Sequence, residues 1–204
     1  SMSNSIIHLA SETFYAAFIL RCRELTHIGG RVAMVTQQSW MFLRSFAELR
    51  AVDDDKLKKL KPGAFRGLLW NTTIETLAHL GPGAFGEISG EVVNIVLFTL
   101  TNIEPCPEYC ITAFRLIGPK NPEEKVLFLK KTILTGNNTS QIKQQLISSI
   151  IESPIVYWLS PSFIKQLCSP FRLRDIAEVK AGLSTARNER YIRCLWEVPL
   201  NPSR

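Results

Sequence analysis

The chain has 204 residues, 46% hydrophobic and 21% charged, with a formal net charge of +6. These are the proportions of a globular protein, without repeats or low-complexity tracts. No apolar run approaches the roughly 18 residues of a membrane helix, and the start, SMSNSIIHLA, lacks the basic and apolar regions of a secretory signal, so a cytoplasmic protein without membrane association is expected.

Residues 6–25 read as a helix, with Phe14, Ala17, Phe18 and Leu25 as its recurring apolar positions. It stops at Gly29-Gly30. Residues 31–36 read as a buried strand, so helix, double glycine and strand form an α–β unit. Gln37-Gln38-Ser39-Trp40 follow directly. In open α/β sheets, ligands sit beyond the carboxyl ends of strands. Ser39 and Trp40 are placed to line such a site; packing of Trp40 on the sheet is the equal alternative. Residues 41–52 read as a second amphipathic helix with Phe42, Phe46 and Leu49 inward. A charged, solvated connector runs from Asp53 to Lys61.

The central stretch is TLAHLGPGAFGEISGEVVNIVLFTL. Residues 74–80 read as a half-buried strand, and 92–100 as a strand covered on both faces. Between them lie glycines and one aromatic, Phe85. Its ring is either a core plug or a stacking surface, and spacing alone favours the plug.

Residues 111–117 read as a further strand antiparallel to its neighbour. Asn121-Pro122-Glu123-Glu124 is a helix start, and the helix runs to about residue 134. Residues 135–140 read as the clearest linker. Residues 141–151 are helix-compatible, 155–159 a short strand, Ser160-Pro161 the start of a helix to about residue 168, and 176–180 a strand.

Five cysteines, Cys22, Cys106, Cys110, Cys168 and Cys194, are an odd number and read as free thiols. Cys106 and Cys110 form a lone CPEYC pair without a second pair or nearby histidine, so no metal site is expected. His8, His27 and His79 are scattered. The last 44 residues carry a net +4. That suits a polyanionic partner such as nucleic acid, and a solvated basic surface equally well.

Three segments in order, GGRVAMVTQQSWMFLRSFAELR, LAHLGPGAFGEISGEVVNIVLFTL and IAEVKAGLSTARNERYIRCLWEV, resemble adenine-specific DNA methyltransferases of the large Pgl/BREX phage-exclusion type. More loosely, they resemble methylases fused to type II restriction enzymes. The resemblance implies an α/β fold with part of a Rossmann-like, S-adenosylmethionine-dependent methyltransferase sheet. Residues 31–36 would be strand five, with 74–80 and 92–100 the closing antiparallel hairpin of strands six and seven. A small α+β segment would follow. The implied domains are residues 1–134 (the back half of a methyltransferase domain), 135–150 (linker and helix) and 151–204 (the start of a DNA target-recognition domain).

In that family an aromatic ahead of the last strand stacks on a flipped-out adenine, and Phe85 occupies that place, with an extra Ser89-Gly90 in the gap. The resemblance also implies DNA contacts from Lys180, Arg187, Asn188, Arg190 and Arg193, beside Ser39 and Trp40. Arg187 stands where the family often has an acid. The family's glycine-rich cofactor loop and its Asp/Asn-Pro-Pro-Tyr/Phe loop are absent from these 204 residues. The expectation is a piece of such an enzyme that binds no cofactor and transfers no methyl by itself. Its partners would be DNA and either a second copy or a complementary cofactor-binding half. A non-enzymatic DNA- or protein-binding module is the alternative.

Overall fold

A computed structural model of the chain describes residues 14–85, 93–169 and 176–178. The chain divides into two compact units, Ser1–Cys168 and Ser169–Arg204. The elements that follow belong to the first.

Five strands, β1 (Arg31–Gln37), β2 (Thr73–Gly81), β3 (Ile95–Thr101), β4 (Cys110–Arg115) and β5 (Thr139–Lys143), form one sheet in the order β1-β3-β2-β4-β5. β3 runs antiparallel to both β1 and β2, so residues 31–37 share a sheet with the hairpin that leads to Phe85. β4 is parallel to β2 and antiparallel to β5. The architecture is mixed α/β with a mostly antiparallel sheet. One reading is corrected. Residues 139–143 are an edge strand of the sheet, so the expected linker shrinks to a turn at Gly136.

The register decides which side chains form the core. Val32, Met34 and Thr36 lie opposite Leu100, Phe98 and Val96, on the packed face. Val35 and Leu97 lie opposite each other on the other face, 54% and 36% exposed. The expectation that residues 92–100 are covered on both faces therefore fails. A continuous apolar run cannot distinguish a strand buried on both faces from one with apolar residues facing out.

The helices in chain order are α1 (Phe14–Leu25), α2 (Ala47–Arg50), α3 (Asp54–Leu57), α4 (Leu68–Asn71), α5 (Pro122–Thr135), α6 (Gln144–Ser148) and α7 (Pro161–Leu167). α1 buries Ala16, Ile19 and Leu20, while Phe14, Phe18 and Leu25 are exposed. It is apolar around most of its circumference, so spacing did not select the inward face. α5 follows its sequence signals. Asn121 Oδ1 accepts from the Glu124 amide at 2.9 Å, Pro122 opens the first turn, and Gly136 closes the last in the left-handed conformation. α7 is likewise capped by Ser160.

The expected helix over residues 41–52 is instead two 3-10 turns, Gln38–Met41 and Arg44–Phe46, followed by α2. Phe46 and Leu49 still point inward, with Phe42 half-buried. The cause is Arg50, whose side chain is fully buried. Its guanidinium donates to the carbonyls of Trp40 (2.7 Å), Leu43 (2.8 Å), Glu152 (2.8 Å) and Ser153 (3.0 Å). In a regular helix the first two carbonyls would be directed along the axis to amides four residues on. Glu152 and Ser153 adopt φ of 62° and 49°, a left-handed conformation that only local ties sustain. Burial lowers the Arg50 pKa to about 10, against the raising influence of Glu152.

The same ties prevent residues 155–159 from pairing as the expected strand. Ile155 donates its amide to the Met41 carbonyl at 2.8 Å, and the segment then turns. The Tyr157 hydroxyl meets His79 Nδ1 at 2.8 Å, and His79 Nε2 bonds Gln38 Oε1. An amide oxygen only accepts, so Nε2 carries the proton and Nδ1 accepts from Tyr157. Burial, then Arg115 and Lys125, lower the His79 pKa to about 4.

Arg50→Met leaves four carbonyls without this donor, and urea unfolding followed by tryptophan fluorescence is expected to show a loss of about 3 kcal/mol or more. Arg50→Lys recovers only part of it, because an ammonium lacks the planar fork. His79 binds its proton more weakly folded than unfolded, so its contribution to stability is present above pH 6.5 and is lost as pH falls toward 4. His79→Gln is expected to remove a component of up to about 1.4 kcal/mol per pH unit from the slope in that window, read from unfolding free energies at several pH values.

Candidate functional site

Because β1 and β2 both oppose β3, and β4 parallels β2, the carboxyl ends of β1, β2 and β4 emerge on one edge of the sheet. Gln38 and Ser39 leave β1 there. The turn 81–85 leaves β2, and residues 116–121 leave β4. The Gln38 amide reaches the Asn94 carbonyl at 2.9 Å, bringing the entry to β3 to the same edge.

The turn that carries Phe85 is fixed from below. Lys125 on α5 is buried, and its Nζ donates to the carbonyls of Leu80 (2.6 Å), Pro119 (2.7 Å) and Leu116 (3.0 Å). One ammonium thereby joins the exits of β2 and β4, using all three of its donors. Its burial lowers its pKa, against the raising influence of Glu124. Gly83 completes the join. It adopts φ +70°, and a Cβ there would stand 2.2 Å from the Lys120 carbonyl oxygen, so the turn lies flat on the β4 exit only as glycine. Phe85, two residues on, is 47% exposed and is thus a surface ring rather than a core plug.

The other expected contacts divide. Trp40 is corrected: its indole is fully buried against Phe98 (ring centroids 5.0 Å apart), and its Nε1 donates to Thr36 Oγ1 at 3.0 Å. It is a core residue and offers no surface to DNA. Ser39 is half-buried at the edge, its hydroxyl 2.5 Å from the Tyr15 hydroxyl of α1. Lys180, Arg187, Asn188, Arg190 and Arg193 lie outside the described residues, as does most of the strand expected over 176–180.

The fold assembles a group that the sequence does not display as one. Gln38, Phe42, His79, Arg115, Tyr157 and Trp158 come together from four separate segments. The Trp158 ring lies 5.3 Å from Phe42 and 5.1 Å from Tyr157, both edge-on, and 6.2 Å from His79. The Arg115 guanidinium carbon sits 5.3 Å above the indole. The visible signal is the adjacent Tyr157-Trp158 ahead of a capped helix, within a segment of strand-like composition. Among the described residues, no three His, Cys, Asp or Glu side chains form a metal-binding group.

No protein-family profile matches the chain. Among solved structures, a chain from a type I restriction-modification system aligns over 66% of this chain and 29% of its own, with TM-score 0.42 and 16% identity. A modification subunit of a putative type I restriction enzyme from Vibrio vulnificus YJ016 aligns over 65% and 28%, with TM-score 0.41 and 17% identity. By sequence, the chain is 32% identical over 191 residues to the adenine-specific methyltransferase PglX of Lacticaseibacillus casei (strain Zhang), covering 90% of this chain and 14% of that protein. It is 33% identical over 150 residues to the adenine-specific methyltransferase BrxX of Escherichia coli O9:H4 (strain HS), covering 74% and 11%. The chain is a homologue of these PglX- and BrxX-type adenine-specific methyltransferases along most of its own length, and it corresponds to a small part of theirs.

Proposed function

We propose that this chain forms the base-facing part of an adenine-specific DNA methyltransferase and has no methyltransferase activity by itself. In the complete enzyme, the methyl group would pass from S-adenosylmethionine to the exocyclic amine of adenine. The observation that carries this reading is the 32% identity to a named methyltransferase across 90% of the chain. The place of Phe85 on an exposed turn at the carboxyl edge supports it. Enzymes that act on a base amine take the base out of the duplex, and an exposed ring on a fixed turn suits stacking on such a base. On this reading β1, β3 and β2 stand in the places of strands five, seven and six.

Among the described residues, the exits of β1 and β4, through Gln38 and through residues 116–121, are not multi-glycine turns and do not fit the family's cofactor loop. The loop that would accept hydrogen bonds from the adenine amine is absent as well, so no transfer step is assigned to this chain's own residues. Its share is positioning, with Phe85 holding the base while Lys125 and Gly83 hold Phe85.

β1 supports a complementary partner. Among the described residues it is the terminal strand of the sheet, and its Val35 and the neighbouring Leu97 of β3 are exposed. Terminal strands with unpaired backbone accept a further strand. We assign this surface to the remainder of a methyltransferase domain.

The test uses labelled S-adenosylmethionine and adenine-containing duplex. The chain alone is expected to give background counts. Mixing it with the remainder of the Lacticaseibacillus casei relative, produced without the matched stretch, is expected to restore transfer. In that mixture Phe85→Ala is expected to lower turnover by about 5- to 150-fold, equivalent to the roughly 1–3 kcal/mol of one base–aromatic stack, with Phe85→Trp near the native level. Turnover by the chain alone overturns the reading. DNA binding with no restoration by the second chain favours the non-enzymatic module.

A further inference from the structure

We propose that Arg115 and Trp158 form a second DNA-contacting platform on the edge that carries Phe85, with Arg115 taking a backbone phosphate and Trp158 stacking on an unstacked base. This rests on the reading of the chain as a DNA-binding protein, and extends it to residues that no sequence motif marks as a site.

Four observations carry it. Arg115 closes β4, where its register partner on β2 is His79, so it stands at the carboxyl edge. Among the described residues it forms no ion pair, whereas Arg21, Arg31, Arg44 and Arg66 each hold a carboxylate. Its guanidinium lies over the Trp158 indole at 5.3 Å. An arginine held over a ring by a cation–π contact can still offer N–H donors to the two oxygens of a phosphate. Trp158 is 37% exposed and is braced edge-on by Phe42 and Tyr157. A braced ring loses little freedom on stacking, and every base offers it a π-face.

The surroundings leave Arg115 available. His79, beneath the platform, is neutral above about pH 4 and adds no competing charge at neutral pH. Lys125 is spent on main-chain carbonyls. Glu124 is taken up by Asn121 and the Lys120 amide in the first turn of α5. Phosphate contact from arginine combined with base stacking on an aromatic is how proteins hold an unpaired strand.

The test is fluorescence anisotropy of the full chain with a labelled duplex carrying one adenine opposite an abasic site, at several salt concentrations. Arg115→Ala is expected to weaken binding and reduce the slope of log K against log salt by about 1, with Arg115→Lys keeping the slope. Trp158→Leu, which keeps apolar packing on Phe42, is expected to weaken binding about tenfold with the slope unchanged. Thermal unfolding midpoints are read alongside; if Trp158→Leu does not fold, the Arg115 slope decides. A folded variant at either position that binds like the native chain, while Phe85→Ala weakens binding, overturns the platform and leaves the base-facing reading intact. No DNA binding by the native chain overturns both.

Discussion

Main-chain carbonyls at the exits of strands have no partners within the sheet, and they must be paired if they are buried. Here two buried cations perform that pairing. Lys125 collects the carbonyls of Leu80, Leu116 and Pro119, and Arg50 those of Trp40, Leu43, Glu152 and Ser153. A carbonyl cage satisfies a cation's donors without supplying a full counter-charge, so the cost of desolvation is met by several charge-assisted hydrogen bonds at once. The result is rigidity at the carboxyl edge, where irregular backbone is otherwise free to shift.

Each cation fixes a different part of that edge. Arg50 sets the path of residues 38–43 and draws residues 152–153 against it, which delivers Tyr157 to His79 and Trp158 to Phe42. Lys125 holds the β2 and β4 exits together, which fixes the turn before Phe85 and the strand end that bears Arg115. A third buried polar group, Gln144, does the same at the opposite edge. Its amide oxygen takes the Ile74 amide and its nitrogen reaches Leu69 and Thr72. Polar side chains buried in this way give a single arrangement where apolar packing alone would allow several.

Sequence patterns located the elements whose causes are local. The span of α5 follows from Asn121, Pro122 and Gly136, and β1 and β2 from their composition and the glycines at their ends. Patterns failed where a distant residue decided. Phe42, Phe46 and Leu49 have helical spacing, and the segment is still broken, because Arg50 claims carbonyls that a helix would use. Residues 155–159 have strand composition and turn away because residues 152–153 are held elsewhere. The apolar faces of α1 and β3 could not be ranked, since both are apolar on more sides than they bury. Of the candidate site, Phe85 was legible through a family resemblance. His79, Arg115 and Trp158 were not, being 36 to 79 positions apart and joined only by the parallel pairing of β2 with β4 and the fold-back after α6.

Gly83 occupies a peculiar position in this scheme. The three atoms nearest to a Cβ placed there all belong to the backbone of Lys120. A methyl group added there would leave every strand pairing in place and still lift the aromatic turn off its seat. Such a lesion would leave circular dichroism unchanged and lower the melting temperature, because the positive φ and the clash both strain the turn, and it would present the ring in the wrong place.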